Sequence, residues 1–406
     1  MNTNTLRALF PMIVNNPEMV YLDTAASAMT PQSVIDAINS YYSYHNTNVS
    51  RGVDKKIYET TMLYEAVRVK AQHFIGAKAS SEIIFTRGAT TALNTIAFGF
   101  AEKMLEAGDE ILLNIAEHHA NIIPWQVIAK RANAKIIYVD LRADGSIDPA
   151  DLEKKLNTKT KIVTFAHITN VLGSYNDPKA LATLIRAKSA AYIVVDGAQA
   201  ITQYEVDVQE LDCDFYVFSG HKMFGPTGIG VLYGKHAVLE RMDPFEYGGD
   251  MNHTVTKQNT EYKEAPHKFE AGTMMIAEVF GLGAAIDFME RIGTEAKNAH
   301  IAEIRTYAIA KMQRLDNIIF YNAANTDAAT ISFNIRDVHA HDAATVFSNE
   351  DVVVRAGHHC AQLLLEKLET TSSLRASFSV YSTKKEVDKF ISACEKASDF
   401  LDVLFR

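Results

Sequence analysis

The sequence predicts an α/β protein with a mainly parallel sheet, followed by a smaller C-terminal α+β domain. Apolar runs of β type alternate with helical patterns through most of the first 280 residues, and this alternation is typical of βαβ units. Beyond about Arg291 the rhythm changes to a long helical pattern and then to several strands. The change in rhythm indicates a second, smaller domain.

The first region contains one well-marked helix start and a series of strands. Thr30-Pro31 predicts a helix with Thr30 as its N-cap and proline at the first helical position. The apolar residues that then share one face of this helix are Val34, Ile35, Ile38 and Tyr42. Apolar runs predict strands at residues 83–86, 110–113, 135–139, 161–166, 192–195 and 215–218.

The C-terminal region is predicted to contain strands at residues 329–334, 351–354 and 374–381. In the third of these, apolar residues alternate with Arg375, Ser377 and Ser379, which is typical of a strand whose two faces differ. Thr383-Lys384-Lys385-Glu386 is a capping box that predicts the start of a final helix. The apolar stripe of that helix consists of Val387, Phe390, Ile391, Cys394 and Leu401.

Composition and charge exclude several classes of function. With 48% apolar and 22% charged residues, the chain is globular rather than disordered. A net charge of -9 and scattered basic residues argue against a nucleic-acid partner, which needs a clustered basic surface. Residues 1–20 lack the apolar core of a secretory signal, and no apolar stretch approaches the ~20 residues of a membrane span. Three irregularly spaced cysteines predict neither disulfides nor a metal site, so we expect a reducing cytoplasm.

Two predicted strands end in residues that can carry chemistry. The run 215–218 leads into Ser219-Gly220-His221-Lys222, where an amine can lose enough solvation to act as a nucleophile, although such lysines are usually solvated surface groups. The run 192–195 leads into Asp196-Gly197-Ala198-Gln199. There the carboxylate can pair with a protonated ring nitrogen and the amide can donate to a ring oxygen, or the aspartate can simply cap a helix.

Two further loops follow strands in the same way. Arg87-Gly88-Ala89-Thr90-Thr91 leads into a helical pattern and forms either an anion site or an ordinary helix start. It lacks the glycine spacing of a P-loop or a dinucleotide fingerprint, so ATP and NAD are not indicated. In Glu117-His118-His119-Ala120-Asn121, adjacent histidines cannot share a helix face as zinc ligands would. The alternative is an imidazole that stacks on a planar cofactor.

The strand at 351–354 enters Arg355-Ala356-Gly357-His358-His359-Cys360, which predicts a reactive cysteine. Arginine and histidine neighbours in an accessible loop favour the thiolate form. Cys213 and Cys394 belong to apolar patterns and are interpreted as packing residues. Arg355 and Arg375 can form forked contacts to a substrate carboxylate, or they can be ordinary surface arginines.

Taken together, three motifs resemble the cysteine desulfurases of the class V aminotransferase family, which are pyridoxal-phosphate enzymes of fold type I. They are Asp196-Gly197-Ala198-Gln199, Ser219-Gly220-His221-Lys222 and the Arg-x-Gly-His-His-Cys motif that ends at Cys360. The last is similar to the type II, SUF-class enzymes. The resemblance runs from Tyr21 to Ser377, about nine tenths of the chain.

The resemblance implies a fold and a division into domains. The expected fold has a large domain at residues 21–290, built on a mainly parallel seven-stranded sheet between helices. A smaller α+β domain at residues 291–406 carries the cysteine loop, and an N-terminal segment at residues 1–20 packs with it.

The resemblance also implies pyridoxal 5'-phosphate as the cofactor. Lys222 would hold it covalently and serve as acid and base, while Asp196 would pair with the ring nitrogen. His119 would stack on the ring and Gln199 would contact its phenolic oxygen. The phosphate would be held by Thr90, Ser219, His221 and, from the second subunit of a homodimer, Thr273.

L-Cysteine is the substrate that the resemblance implies. Asn170 and Arg375 would hold its carboxylate, with Arg355 at the entrance. Cys360 would attack the substrate sulfur, keep it as a persulfide and release L-alanine. The sulfur would pass to a SUF-type acceptor protein for iron-sulfur cluster assembly.

Two other functions stay open at this point. A selenocysteine lyase acting on L-selenocysteine, or another pyridoxal-phosphate C-S lyase, would share Lys222 and Asp196 but depend less on Cys360. A non-catalytic binding protein with this fold would need none of the three.

Several positions depart from the usual pattern of the family. Ser50 and Asp54 stand where histidines are common, and Thr91-Ala92 replaces Glu-Gly. Met274-Met275 follows Thr273 where Pro-Asn is frequent, Leu363 replaces a proline soon after Cys360, and Tyr247 lies in a normally glycine-rich turn. We expect these loops to affect acceptor choice, loop mobility and rate.

Overall fold

The fold is that of a computed structural model of the 406-residue chain, which describes residues 3–49, 54–325 and 328–398. Ser50 and Leu401, which the sequence analysis singled out, lie outside the described residues. In the described ranges, no helix combines the length and the apolar character needed to cross a bilayer.

The strands form a large central sheet, a smaller sheet and two short pairs. In chain order they are β1 (Val20–Tyr21), β2 (Ile83–Thr86), β3 (Glu110–Asn114), β4 (Lys135–Val139), β5 (Thr160–Ala166), β6 (Tyr192–Asp196), β7 (Phe215–Ser219), β8 (Gly230–Gly234), β9 (Asn252–Val255), β10 (Thr260–Tyr262), β11 (Ile318–Phe320), β12 (Thr330–Ile335), β13 (Val352–Val353), β14 (Arg355–Gly357) and β15 (Ser373–Ser377).

The helices surround both sheets. In chain order they are α1 (Thr3–Arg7), α2 (Pro11–Asn15), α3 (Gln32–Tyr44), α4 (Lys55–Phe74), α5 (Ala89–Ile96), α6 (Glu102–Met104), α7 (Ile123–Ala132), α8 (Pro149–Lys155), α9 (Pro178–Lys188), α10 (Val208–Leu211), α11 (His236–Arg241), α12 (Ile276–Ile292), α13 (Thr294–Met312), α14 (Ala340–Asn349), α15 (Gln362–Lys367) and α16 (Lys384–Ala397). A π-helical segment, Ala97–Ala101, joins α5 to α6.

The central sheet has the order β2-β8-β7-β6-β5-β3-β4. Neighbouring strands are parallel except that β8 runs antiparallel to both β2 and β7. The mainly parallel seven-stranded sheet is therefore confirmed, and the six strands predicted from apolar runs are all present. The residue patterns did not predict β8, because glycines at both ends shorten its apolar run.

Both faces of this sheet are buried, which explains why its strands have near-continuous apolar sequences. On β3, for example, Leu112 packs into one core cluster, whereas Ile111 and Leu113 pack into another on the opposite face. Every residue of β7 is buried. This packing leaves the loops at the strand ends as the places where polar side chains can meet a ligand.

The start of α3 differs by one position from the prediction. The helix begins at Gln32, and Pro31 is its N-cap instead of its first residue. Pro31 has an extended ψ of 156°, so it stays outside the helix while its carbonyl accepts a hydrogen bond from Val34. Thr30 is therefore not the cap.

The smaller sheet is antiparallel, with the order β11-β12-β15-β14. The predicted strand at 374–381 ends as β15 at Ser377, and its polar face is buried as well as its apolar face. Ser377 Oγ accepts from the Ala25 N–H at 2.9 Å, and Arg375 Nη1 donates to the Asn170 carbonyl at 2.9 Å. The alternation thus separates an apolar core from polar contacts with the loops that contain Ala25 and Asn170.

The final helix and the N-terminal segment meet at Glu386. Glu386 completes the predicted capping box with Thr383, which is confirmed. Arg7 donates to Glu386 at 2.9 Å, and the ring of Phe10 lies 5.0 Å from that of Tyr381. The predicted boundary at 290/291 falls in the last turn of α12. The division into domains stays a prediction.

Candidate active site

A cavity of about 250 Å³ lies at the carboxyl ends of the central strands. Its wall combines residues from the ends of β5, β6 and β7 with residues that follow β14. Of the predicted site residues, the structure brings together Thr90, Asn170, Asp196, Gln199, Ser219, His221, Lys222, Arg355, Cys360 and Arg375. His119 and Thr273 lie elsewhere.

Lys222 and Asp196 occupy the ends of adjacent parallel strands. Asp196 is the last residue of β6, and Lys222 ends the 3-10 turn Gly220–Lys222 that follows β7. Burial lowers the pKa of Lys222, and the charge of Asp196 opposes this shift. Burial likewise raises the pKa of Asp196, and Lys222 opposes it. Burial thus favours the neutral, nucleophilic form of the Lys222 amine, and each of the two side chains partly offsets the effect of burial on the other.

The end of β2 forms a helix N-terminus suited to an anion. Gly88 precedes α5 with φ 146°, a conformation that favours glycine, and as the N-cap residue it has no side chain to bond the first N–H groups of the helix. Ser219 Oγ accepts from the Ala89 N–H at 2.8 Å, which draws β7 and α5 together. Gly230 permits this close approach, because a Cβ there would lie 2.5 Å from Gly88 Cα. Thr90, in the first turn of α5, borders the cavity, and a helix N-terminus stabilises a phosphate through its N–H groups.

His118, rather than His119, lines the cavity. His118 is the N-cap residue of the 3-10 turn His119–Asn121. Its Nδ1 accepts a hydrogen bond from the Ala120 N–H at 3.1 Å. Burial and the charge of Lys222 lower the pKa of His118 to about 4, so the ring is neutral. His119 turns instead toward Cys360, whose carbonyl accepts from the His119 N–H at 2.7 Å. The predicted stacking role of His119 is therefore replaced by a proposal for His118.

Two arginines meet one carboxylate at the far wall of the cavity. Asp23 lies 3.0 Å from Arg355 Nη2 and 3.3 Å from Arg375 Nη2. The side chain of Arg375 is 4% exposed and that of Arg355 is 47% exposed. Arg375 Nε is buried without a hydrogen-bond partner among the described residues, so a donor is available there for a substrate carboxylate.

The side-chain amide of Asn170 already bonds the backbone next to Cys360, so only one of its two polar atoms can bind substrate. Its Nδ2 donates to the His359 carbonyl at 2.7 Å. Its buried Oδ1 has no partner in the described part of the chain. One polar atom of Asn170 is thus left for a ligand.

Cys360 is exposed and borders the cavity, whereas Cys213 and Cys394 are buried. The expectation that these two cysteines are packing residues is confirmed, because burial raises the pKa of both thiols. Cys360 lines the same cavity as Lys222 and Arg355 and is also accessible to solvent.

The remaining predicted residues have different positions. Gln199 borders the cavity and donates to the Ala25 carbonyl at 2.8 Å. Thr273 borders a separate cavity of about 450 Å³ together with Thr91 and Met274. Leu363 lies in α15 and packs against the core.

Asp54 and Tyr247 also depart from the family pattern. Asp54 caps α4, because its Oδ1 accepts a hydrogen bond from the backbone N–H of Lys56 at 2.7 Å. Tyr247 is exposed.

Residue patterns did not identify Asp23 and Glu117 as residues that support the site. Asp23 lies two residues after the end of β1, and a carboxylate close to a strand end was the signal that identified Asp196. Glu117 accepts from Asn121 Nδ2 at 2.7 Å and from the Ala166 N–H at 3.0 Å, which ties the histidine turn to β5. Burial raises the pKa of Glu117 to about 8.

The model of the aminotransferase class-V family matches residues 20–390. The chain belongs to the aminotransferase class-V family. The chain is 46% identical over 408 residues to a probable cysteine desulfurase of Halalkalibacterium halodurans, with 100% of both chains covered. It is 44% identical over 400 residues to a probable cysteine desulfurase of Staphylococcus aureus, covering 98% of this chain and 97% of the relative.

Solved structures of class-V relatives have the same fold. The cysteine desulfurase CsdA from Escherichia coli matches with a TM-score of 0.92 and 36% identity, covering 98% of this chain and 99% of that one. The apo cysteine desulfurase from Thermococcus onnurineus NA1 matches with a TM-score of 0.92 and 34% identity, covering 98% of each chain. The architecture is that of the fold-type I enzymes.

Membership in the class-V family implies pyridoxal phosphate as the cofactor. The residues of the cavity fit this group. The helix N-terminus at Thr90 suits its phosphate, and the carboxyl group of Asp196 suits a protonated ring nitrogen. The buried amine of Lys222 suits covalent attachment.

Proposed function

We propose that the protein is a cysteine desulfurase, a sulfurtransferase that converts L-cysteine to L-alanine and keeps the sulfur as a persulfide on Cys360. The observation that carries this proposal is that exposed Cys360 shares one cavity with Lys222 and Asp196. Relatives named probable cysteine desulfurase, 44% and 46% identical over nearly the whole chain, support it.

The cavity residues divide the work of binding and proton transfer. Arg375 receives the substrate carboxylate with its unpaired Nε, and Asp23 keeps the guanidinium in place. Lys222 removes the proton from the substrate α-carbon and later returns one to the product. Bound pyridoxal phosphate supplies an electron sink that stabilises negative charge on the substrate carbons. Gln199 and His118 would hold the ring, and Ser219, His221 and Thr90 would hold the phosphate.

Cys360 carries out the sulfur transfer. Its thiolate forms an S–S bond to the substrate sulfur while the C–S bond of the substrate breaks. The electron pair of the broken bond stays on the substrate carbon, which takes up a proton to become the methyl group of alanine. The balance is one cysteine and one thiol converted to one alanine and one persulfide, with no external oxidant.

The replacement Cys360→Ser tests this proposal. We expect the visible absorption of Lys222-bound pyridoxal phosphate to remain, whereas alanine formation falls at least about 100-fold, the lower end of what a positioned catalytic group contributes. Intact-protein mass spectrometry should show one added sulfur on the wild type after reaction with cysteine. Cys394→Ala, a change at a buried cysteine on α16, is the matched control and should keep both readouts.

Undiminished alanine formation by the Cys360→Ser variant would reject the desulfurase proposal in favour of a selenocysteine lyase or another C-S lyase. Absence of the visible absorption band from the wild type, even after pyridoxal phosphate is added, would reject a pyridoxal-phosphate enzyme altogether.

The same proposal includes the cellular role. The persulfide sulfur would pass to a SUF-type acceptor protein in the cytoplasm and serve iron-sulfur cluster assembly. Exposure of Cys360 supports direct transfer to a protein acceptor.

A homodimer in which Thr273 of a second copy reaches the phosphate also belongs to the proposal. Thr273 lies outside the Lys222 cavity of its own chain. It precedes α12, on which α3 and α4 pack. These two helices carry exposed apolar side chains for such a contact, among them Tyr42, Tyr44, Tyr58, Met62 and Leu63.

A further inference from the structure

Residues 358–361, the cysteine loop, have a backbone that needs external support. The loop connects β14 to α15. Both His359 (φ 53°) and Cys360 (φ 55°) are in the left-handed region, which residues other than glycine, asparagine and aspartate rarely adopt. Two successive residues in this conformation persist only where surrounding contacts hold them.

His119 makes two of these contacts, one with its backbone and one with its ring. The His119 N–H donates to the Cys360 carbonyl at 2.7 Å. His119 Nε2 accepts from the Gln362 N–H at 3.1 Å, so the same residue holds the chain on both sides of Ala361. Burial lowers the pKa of His119, and nearby His358 lowers it further, which keeps Nε2 available as an acceptor. The proton of the neutral ring is then on Nδ1.

Two hydrogen bonds and one apolar contact also support the cysteine loop. Asn170 Nδ2 donates to the His359 carbonyl at 2.7 Å, and the ring of His359 bonds to the Ser373 carbonyl at 2.9 Å. Ala361 is fully buried in an apolar cluster with Ala116 and Val171. The ring of His119 is therefore the side-chain contact that fixes the junction between the loop and α15.

We propose that His119 is a positioning residue that clamps the cysteine loop over the cavity. It fixes the direction of the Cys360 side chain by bonding the backbone on both sides of Ala361. This inference rests on the proposed function for its catalytic consequence, but the clamp itself is a property of the loop. Sulfur transfer requires the attacking atom to be held in line with the bond that breaks, and small misplacements of a reacting group lower the rate strongly.

Two replacements at His119 separate the clamp from general stability. His119→Leu removes the acceptor for Gln362, whereas His119→Gln places an amide oxygen near the position of Nε2. We expect His119→Leu to lower kcat for alanine formation about tenfold. KM should change by less than about twofold, because Arg375 is untouched. His119→Gln should restore most of kcat.

Hydrogen exchange gives a readout that does not depend on activity. In the His119→Leu variant, amide exchange in residues 358–364 should be at least about fivefold faster than in the wild type, because the Gln362 N–H loses its partner. In His119→Gln it should approach the wild type. The visible absorption of bound pyridoxal phosphate should be unchanged in both variants.

Wild-type kcat and wild-type exchange in His119→Leu would overturn the clamp. Equal defects in His119→Leu and His119→Gln would also overturn it, since they would assign the effect to the imidazole rather than to the acceptor. A wild-type protein that forms no alanine from cysteine would reject the proposed function instead. The exchange rates would then still decide the clamp.

Discussion

The two reactive residues of the cavity are held in opposite ways. Lys222 follows a buried parallel strand, and Asp196 ends the neighbouring strand, so the sheet itself sets their separation. Cys360 is an exposed residue of a loop with two left-handed residues, and hydrogen bonds from His119 and Asn170 hold that loop. Each left-handed residue costs about 1–2 kcal/mol relative to a relaxed backbone.

We infer from this difference that Lys222 and Asp196 act on the bound cofactor and substrate, whereas Cys360 carries the sulfur away. A group that must keep one position relative to a bound ring is best placed on a rigid element. In the proposed function the sulfur faces first the cavity and then an acceptor protein, and a loop suits such a change of partner better than a strand. We therefore expect changes at the lysine end to abolish the reaction, and changes at the loop to alter its rate while the cofactor stays bound.

The largest effect should come from Lys222→Arg. It places a guanidinium opposite Asp196 but removes the amine that attaches the cofactor. Activity should fall at least about 10³-fold, because one group provides both the covalent link and the acid-base step. The visible absorption band should disappear.

Lys297→Met is the control for Lys222→Arg. Lys297 is a buried lysine that lines a small cavity together with Lys222, and its amine donates to Asn298 Oδ1 at 2.9 Å. The control should keep the absorption band even if the protein loses stability. Retention of the band by Lys222→Arg would contradict covalent attachment at Lys222.

A second comparison concerns two arginines that share Asp23. Arg375→Lys should raise KM for cysteine about 10- to 100-fold, since a buried charge-assisted hydrogen bond contributes about 1.5–3 kcal/mol. Arg355→Lys should raise KM less than about fivefold, because ion pairs of exposed side chains contribute about 0–1 kcal/mol. Steady-state kinetics on both variants provide the measurement. A larger effect at Arg355 would move the substrate carboxylate to the mouth of the cavity.

The sequence predicted the lysine end well because strand ends are a local property of a parallel sheet. The carboxyl ends of parallel strands meet at one edge, so residues that follow separate apolar runs had to meet there. The strand assignments were enough to place Asp196 and Lys222 at one edge, whereas the roles predicted for them came from the resemblance to the cysteine desulfurases. The same reasoning predicted a cavity wall but not which member of an adjacent pair would face it.

His118 and His119 show where that reasoning ends. Both follow β3, and only the geometry of the 3-10 turn decides which ring faces the cavity. Asp23 and Arg375 lie far apart in the chain and meet because β1 leads Asp23 to a bridge with Ser377. Such a pairing depends on the packing of two sheets, which residue patterns do not encode.

The smallest effect on activity should come from Thr383→Ala, at the capping box of α16. Thr383 Oγ1 accepts from the Glu386 N–H at 3.2 Å, and loss of such a cap lowers the free energy of unfolding by about 1 kcal/mol. Thermal unfolding should therefore begin at a lower temperature, while kcat, KM and the exchange rates of residues 358–364 stay at wild-type values. Lys385→Ala is the control, because Lys385 is an exposed residue in the first turn of the same helix. It should change neither stability nor activity. If Thr383→Ala reproduced the kcat loss of His119→Leu, that loss would reflect general destabilisation. If it does not, the loss belongs to the cysteine loop, and the contrast between the two ends of the cavity holds.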